Sequence, residues 1–308
     1  MKRVAWAWLL MLVLMSNVDA AGTDTRAQPR FASPEDALTA MVGAMRRQLP
    51  GALATIVGPG SHAWLLSGDD VADRAAMARF VAAYEEHHAI APSGDNRAVV
   101  TVGRDDWPLP IPLVKAQNKW QFDGAAGHDE VLARRIGRNE LDTIQVLEAM
   151  ADAQIEYARA GWAGSGLVAY AQKFASSPGR RDGLYWPPKA GEPESPLGPL
   201  VARAAREGYA DANVRPYRGY VFRMLKGQGA NAPGGAFDYV VKGAMIGGFA
   251  IVGYPVRYGV SGVMTFMINQ DGVVYQKDLG ARTAQAVAAM KRFDPGVGWT
   301  KAGSARSP

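Results

Sequence analysis

The last third of the chain constrains the fold most. Five apolar runs follow one another there, at 219–225, 236–242, 248–256, 262–269 and 273–278. No helical repeat lies between them. Strands joined in this way pair antiparallel, because a parallel pair needs a long crossover, usually a helix. Asn269-Gln270-Asp271-Gly272 closes the last pair, with Asp-Gly supplying the positive φ angles of a tight hairpin turn. Alternation then puts Phe266 and Ile268 on one face of their strand, and Val273 and Tyr275 on one face of the partner. An antiparallel meander is the predicted centre of the second half, followed by a helix over 283–292.

Helical spacing dominates upstream. Leu141, Ile144, Leu147, Ala151, Ile155 and Ala158 form one apolar stripe, which predicts a long helix over 139–160. Gly137 reads as the break before it and Asn139 as its N-cap. Another helix is expected over 127–136. Ser33-Pro34-Glu35-Asp36 reads as the start of the first helix, with Ala37, Leu38, Met41, Val42 and Met45 at helical spacing behind it. Shorter helical pieces follow over 52–57 and 71–89. Strands are expected at 98–103, 109–116 and 119–122, with Gln117-Asn118 as a two-residue hairpin. Pro108, Pro110 and Pro112 alternate, which predicts an edge strand. The stretch 178–199 is rich in Pro, Gly and charge and reads as a surface loop. The pattern predicts an α+β fold of two domains, 33–138 and 139–302, each with helices packed on an antiparallel β-sheet.

The first residues carry an address. Lys2 and Arg3 precede an unbroken apolar run from Val4 to Met15, and Val18-Asp19-Ala20 ends on a small residue. This predicts a signal peptide over 1–20, cleavage near Ala20 and a periplasmic or secreted protein. A linker over 21–32 follows, and 303–308 reads as a disordered tail. No later apolar run reaches the roughly 18 residues of a membrane helix, so no stable span is expected after cleavage. The chain has 308 residues and no cysteine. Disulfides, thiolate nucleophiles and zinc-thiolate sites are therefore excluded, and the core alone must hold the fold. The net charge is +5, but Arg46-Arg47, Arg134-Arg135 and Arg180-Arg181 are scattered. No basic stripe interleaves with aromatics, which argues against nucleic acid as a partner.

The chemical motifs in the chain have plainer explanations. Gly227-x-Gly229-x-x-Ala232 imitates a dinucleotide fingerprint, but Pro233-Gly234-Gly235 follows where a helix must start. Ser261 lacks the glycine two residues on that a nucleophile elbow requires, and reads as a turn serine. His87 and His88 are adjacent, so on a helix they do not share a face for a metal. Glu140, Glu148 and Glu156 recur every eight residues, about 12 Å apart along a helix, too far for an acid–base pair. No catalytic, cofactor-binding or metal-ligating residue is assigned. Aromatic residues cluster in the middle of the chain instead. Trp162, Tyr185, Trp186, Tyr217 and Tyr220, with Asp182, are the candidates for loop anchoring or for a binding groove. One or both of Tyr185 and Trp186 are expected to pack on the second sheet, with Asp182 accepting hydrogen bonds in a turn.

Three stretches carry a resemblance. Arg134 to Leu141, Asp182 to Trp186, and the run from Asp238 through Gly262–Phe266 to Gly280 are similar to a family of exported bacterial proteins of unknown function. The resemblance covers the whole mature chain and implies export without an activity. In element order, the first half resembles cystatin-like and nuclear-transport-factor-like folds. The second half resembles the globular head of type IV pilins and pseudopilins. The expectation is a non-catalytic binding or assembly module for an envelope glycan, peptide or protein, and the alternative is a hydrolase of envelope polymers using acidic residues.

Overall fold

A computed structural model of the protein describes residues 27–163, 166, 168–209 and 216–303. The leader, most of the linker and the tail beyond Gly303 lie outside these residues. The first half begins with helices α1 (Pro34–Arg46), α2 (Pro50–Val57), α3 (His62–Leu65) and α4 (Asp70–Glu86). The Ser33 hydroxyl accepts from the Asp36 amide at 3.1 Å, as its place before Pro34 requires. Strands β1 (His88–Pro92), β2 (Arg97–Val102), β3 (Trp107–Pro108), β4 (Leu113–Ala116) and β5 (Lys119–Phe122) make an antiparallel sheet in the order β1-β2-β4-β5, with β3 beside β2. Gln117 and Asn118 have φ of 52° and 61° and join β4 to β5, so this hairpin is the two-residue turn expected.

Two expectations fail here. The helix ends at Glu86 rather than near Ala89, and His87 turns into extended backbone at φ −161°. The residues beyond it gain a full ladder with β2, from His88 opposite Val102 to Pro92 opposite Ala98. Pairing outweighs the helical propensity of His-Ala-Ile-Ala. Of the strand expected over 109–116 only Leu113–Ala116 forms, as β4, and it lies between β2 and β5 rather than at an edge, whereas Pro108 falls in β3, which pairs with β2 alone. Pro110 and Pro112 fall in the gap between β3 and β4, where no ladder donor is required.

Helix α5 (Gly124–Arg159) is one continuous element of 36 residues, about 54 Å long. Its N-cap is Asp123, whose Oδ1 accepts from the Ala126 amide at 3.0 Å. Gly137 does not break it. A mid-helix glycine costs about 1 kcal/mol, less than the apolar faces on either side recover by burial. Val131 and Leu132 pack on one hydrophobic core, with Leu38, Met41, Val100, Leu113 and Phe122. Ile144, Leu147 and Met150 belong to a second core, with Ile251, Phe266 and Ile268. Asn139 caps nothing. It is buried mid-helix, and its Nδ2 donates to the Ser261 carbonyl at 2.9 Å.

The second half contains α6 (Gly198–Arg206), β6 (Tyr220–Leu225), β7 (Gly227–Gln228), β8 (Phe237–Asp238), β9 (Val240–Val241), β10 (Ala244–Met245), β11 (Ala250–Pro255), β12 (Met264–Asn269), β13 (Tyr275–Asp278), α7 (Thr283–Ala289) and β14 (Thr300–Lys301). The main sheet runs β14-β13-β12-β11-β6, antiparallel throughout. The run at 236–242 divides into β8 and β9, which pair with β7 and β10 instead of joining this sheet. Residues 270–274 join β12 to β13. Met267 faces Tyr275, the Gly272 amide donates to the Asn269 carbonyl at 3.0 Å, and only Gly272 has positive φ, at +73°. The whole is a mixed α+β fold with antiparallel sheets, and α5 runs through both cores. No described helix is long and apolar enough to cross a membrane.

Candidate functional site

A cleft of about 900 Å³ opens where the two cores meet. Its floor is apolar, from Met45, Leu53 and Met77. One wall is a single face of α4, where Val71, Ala72, Ala75, Ala76 and Arg79 recur at helical spacing. Small alanines leave the space open. The facing wall is the middle of α5, with Arg134, Arg135, Arg138, Asn139 and Asp142. Glu207, Tyr209 and Arg218 close the third side. Five arginines and three carboxylates line the cleft, an excess of two positive charges.

Most of these charges have partners. Arg218 bonds Asp142 at 2.8 Å through Nη1, and reaches Glu207 through Nε at 3.1 Å and through Nη2. Burial raises the Glu207 carboxyl pKa, but the bond and charge of Arg218 overcome this and hold it below the usual range. Arg135 donates to the Trp64 and Leu65 carbonyls at the end of α3, at 2.6 Å each. Burial pulls its pKa below that of a free guanidinium, against the attraction of Asp73. Asp73 itself accepts twice from the Ser67 amide, at 3.1 and 2.9 Å. Burial still pushes its carboxyl above the ordinary value. Arg134 bonds Glu130 at 2.6 Å and the Pro108 carbonyl at 3.0 Å, with its guanidinium 4.9 Å from the Trp107 ring centre.

Arg79 and Arg138 are different. Both reach solvent, and neither makes an ion pair with a described residue within 4.0 Å. Lost solvation lowers the pKa of Arg79, and the charges of Arg138 and Arg218 lower it further, against the attraction of Asp142 and Glu207. Like charges collected without full compensation raise the free energy of the empty cleft and favour an incoming anion.

The walls are held together across the two halves. Asp69, only 1% exposed, caps α4 by accepting from the Ala72 amide at 3.0 Å. Its other oxygen accepts from the Tyr209 hydroxyl at 2.8 Å and the Gly219 amide at 2.9 Å. Arg257, following β11, donates to the Leu66 and Ala63 carbonyls at 2.6 Å each. Glu140 accepts from the Val263 and Met264 amides at 2.9 Å and seats the start of β12 on α5.

The residues singled out from sequence do not form one site. Trp162, Asp182, Tyr185 and Trp186 gather near the far end of α5. Trp162 packs 4.8 Å from Trp186 and 6.0 Å from Tyr157, ring centre to ring centre. Trp186 is 6% exposed within the second core, whereas Tyr185 is half-buried. Asp182 accepts from the Ser177 amide at 2.7 Å, the Lys173 ammonium at 2.7 Å and the Ser177 hydroxyl at 3.0 Å. These bonds, the Lys173 one foremost, bring its pKa down to about 2. Tyr217 stands behind the third wall, 4.9 Å from Tyr209, with its hydroxyl donating to Glu207 at 3.3 Å. Tyr220 is fully buried and donates to the Met264 carbonyl at 2.9 Å.

Other motifs resolve into structure. Ser261 is buried in a turn, where its hydroxyl accepts from the Arg257 amide and donates to the Arg257 carbonyl. Gly229 precedes no helix, and a Cβ there would stand 2.3 Å from the Asp294 carboxyl carbon. His87 and His88 are not helical. His88 stacks on Tyr84 at 4.0 Å, and His87 faces Asp106 at 3.4 Å. The cleft arginines escaped sequence reading. Arg134, Arg138 and Asp142 stand at i, i+4 and i+8 on one helix face, which is a usable signal. The supposed break at Gly137 divided that face, and Arg79 lies far off in sequence.

No curated protein and no solved structure matches the chain. A family profile described as "Protein of unknown function (DUF2950)" matches residues 28–302, which include every wall of the cleft. Arg134 to Leu141, which carried the resemblance in sequence, form the arginine wall and the clamp onto the second sheet. The chain belongs to the DUF2950 family of proteins of unknown function.

Proposed function

We propose that this protein is a non-catalytic binding module of the bacterial envelope, and that it holds an anionic ligand in the cleft between its two cores. The observation that carries this is the pair Arg79 and Arg138, on facing walls and without ion pairs among the described residues. The three cleft carboxylates support binding over hydrolysis. Asp142 and Glu207 are tied to Arg218, and Asp73 to the Ser67 amide. An acid–base pair needs groups free to exchange protons with a substrate. In the same reading the two cores are two domains that share α5, and the Asp182–Trp186 segment anchors its loop. Export removes residues 1–20, and mass spectrometry of the secreted protein then finds Ala21 at the N-terminus.

The test is equilibrium dialysis or calorimetry with small di- and tricarboxylates at low ionic strength. Binding is expected to weaken about tenfold in Arg79→Gln and Arg138→Gln, and to fall as salt is raised. Loss of neither affinity nor salt dependence would remove the cleft from the proposal.

A further inference from the structure

We infer that the cleft recognises a carboxylated sugar chain, with Trp107 as the stacking platform and Arg79 and Arg138 as the carboxylate receptors. This rests on the anion-binding reading above and adds the chemical class of the ligand. Trp107 lines the cleft and is 58% exposed, so its indole face is open to a ligand in the cleft. It belongs to the two-residue strand β3, which pairs with β2 and is therefore held in place. Arg134 lies 4.9 Å from the ring centre and is itself fixed by Glu130 and the Pro108 carbonyl. The indole is thus oriented before any ligand arrives. An oriented, exposed indole beside a polar cleft suits the C–H face of a pyranose ring, which has both an apolar face and polar edges. Arg134 acts here as a positioning residue.

The rest of the cleft selects the kind of anion. Phosphate sites typically use the amides of a helix N-terminus. The start of α4, which lines this cleft, is capped by Asp69 and carries Asp70 and Asp73 in its first turn. That end repels a concentrated anion. The guanidiniums without ion pairs, Arg79 and Arg138, lie instead on two different helices, a separation that suits single charges spaced along a chain. An acidic peptide would carry the same charge, but extended peptides gain affinity from an open strand edge. The two facing walls here are helices α4 and α5, whose backbone bonds are internal.

Three probes separate these outcomes in calorimetric titrations of the full chain. They are trigalacturonate, its neutral methyl ester and triglutamate. Trigalacturonate is expected to bind and the methyl ester not to bind. Arg79→Gln and Arg138→Gln should each weaken trigalacturonate about tenfold. Trp107→Ala should weaken trigalacturonate about fivefold or more while leaving any triglutamate binding unchanged. These side chains are exposed, so thermal melts of the variants should match the wild type. If triglutamate binds as tightly and Trp107→Ala changes nothing, the sugar assignment is overturned while the anion site stands. If no probe binds, or the arginine variants bind as the wild type does, both readings fall.

Discussion

At the scale of single residues, geometry assigns several roles that residue type alone does not. Asp182 is exposed enough to look ordinary, yet three donors converge on it. Its folded pKa of about 2 lies below the ordinary 3.8. The ionised form is therefore favoured by folding. This stability is fully present above pH ~4 and is lost as pH falls from there through about 2. Acid titration followed by Trp fluorescence should show that Asp182→Asn removes this part of the pH dependence. A wild-type-like acid limb in the variant would mean that the Lys173 and Ser177 bonds contribute nothing. Gly272 is a second case. Its φ of +73° is a conformation that a β-branched side chain resists, although the space around it is open. Gly272→Val should cost about 1 kcal/mol or more in chemical denaturation. An unchanged midpoint would contradict the turn. Asp271, beside it, has no positive φ, and its carboxylate accepts from Asn269 Nδ2 at 3.0 Å.

At the scale of elements, α5 is the decisive piece. A glycine at 137 and an asparagine at 139 are ordinary signs of a helix boundary. The helix passes through both because each side of Gly137 has its own core to pack against. A Cβ at Gly137 would meet nothing within 4 Å, and the residue is exposed. Gly137→Ala should therefore stabilise the protein by about 0.5–1 kcal/mol, measured by urea denaturation. Destabilisation would show that the helix needs a bend there. β1 makes the opposite point. Its sequence suits a helix end, but β2 offers a complete antiparallel ladder, and neighbours in space decide. The turn at Gln117-Asn118 needed no such help, because its two residues tolerate positive φ locally.

At the scale of the whole molecule, two cores are joined by one helix and by a few buried polar clamps. Asp69 satisfies the Tyr209 hydroxyl and the Gly219 amide from the other half of the chain. Asp69→Ala leaves both donors without their acceptor and removes the α4 cap, a cost of about 3 kcal/mol or more. Arg257 ties the second sheet to the carbonyls around α3. Calorimetry of the wild type should show one unfolding transition. The double variant Asp69→Ala with Arg257→Ala should broaden it or split it in two. A sharp single transition in that variant would mean that α5 alone couples the cores.

The amino-acid sequence by itself determined the class of the fold and most of its pieces. Alternating apolar runs without helices between them produce an antiparallel sheet, and local turn chemistry sets where it folds back. Helical stripes mark the faces that must be buried. These signals are local, so they can be read one segment at a time. The tertiary structure decided what no segment carries alone: the unbroken course of α5, the insertion of β1, and the cleft. Arg79 and Arg138 carry no local signal, because 59 positions separate them and their meaning lies in lining one cleft. Trp186 entered a core and Trp107 stayed in water, although both sit beside prolines in sequence. Burial is a property of what packs on a residue, and that is settled only when distant elements meet.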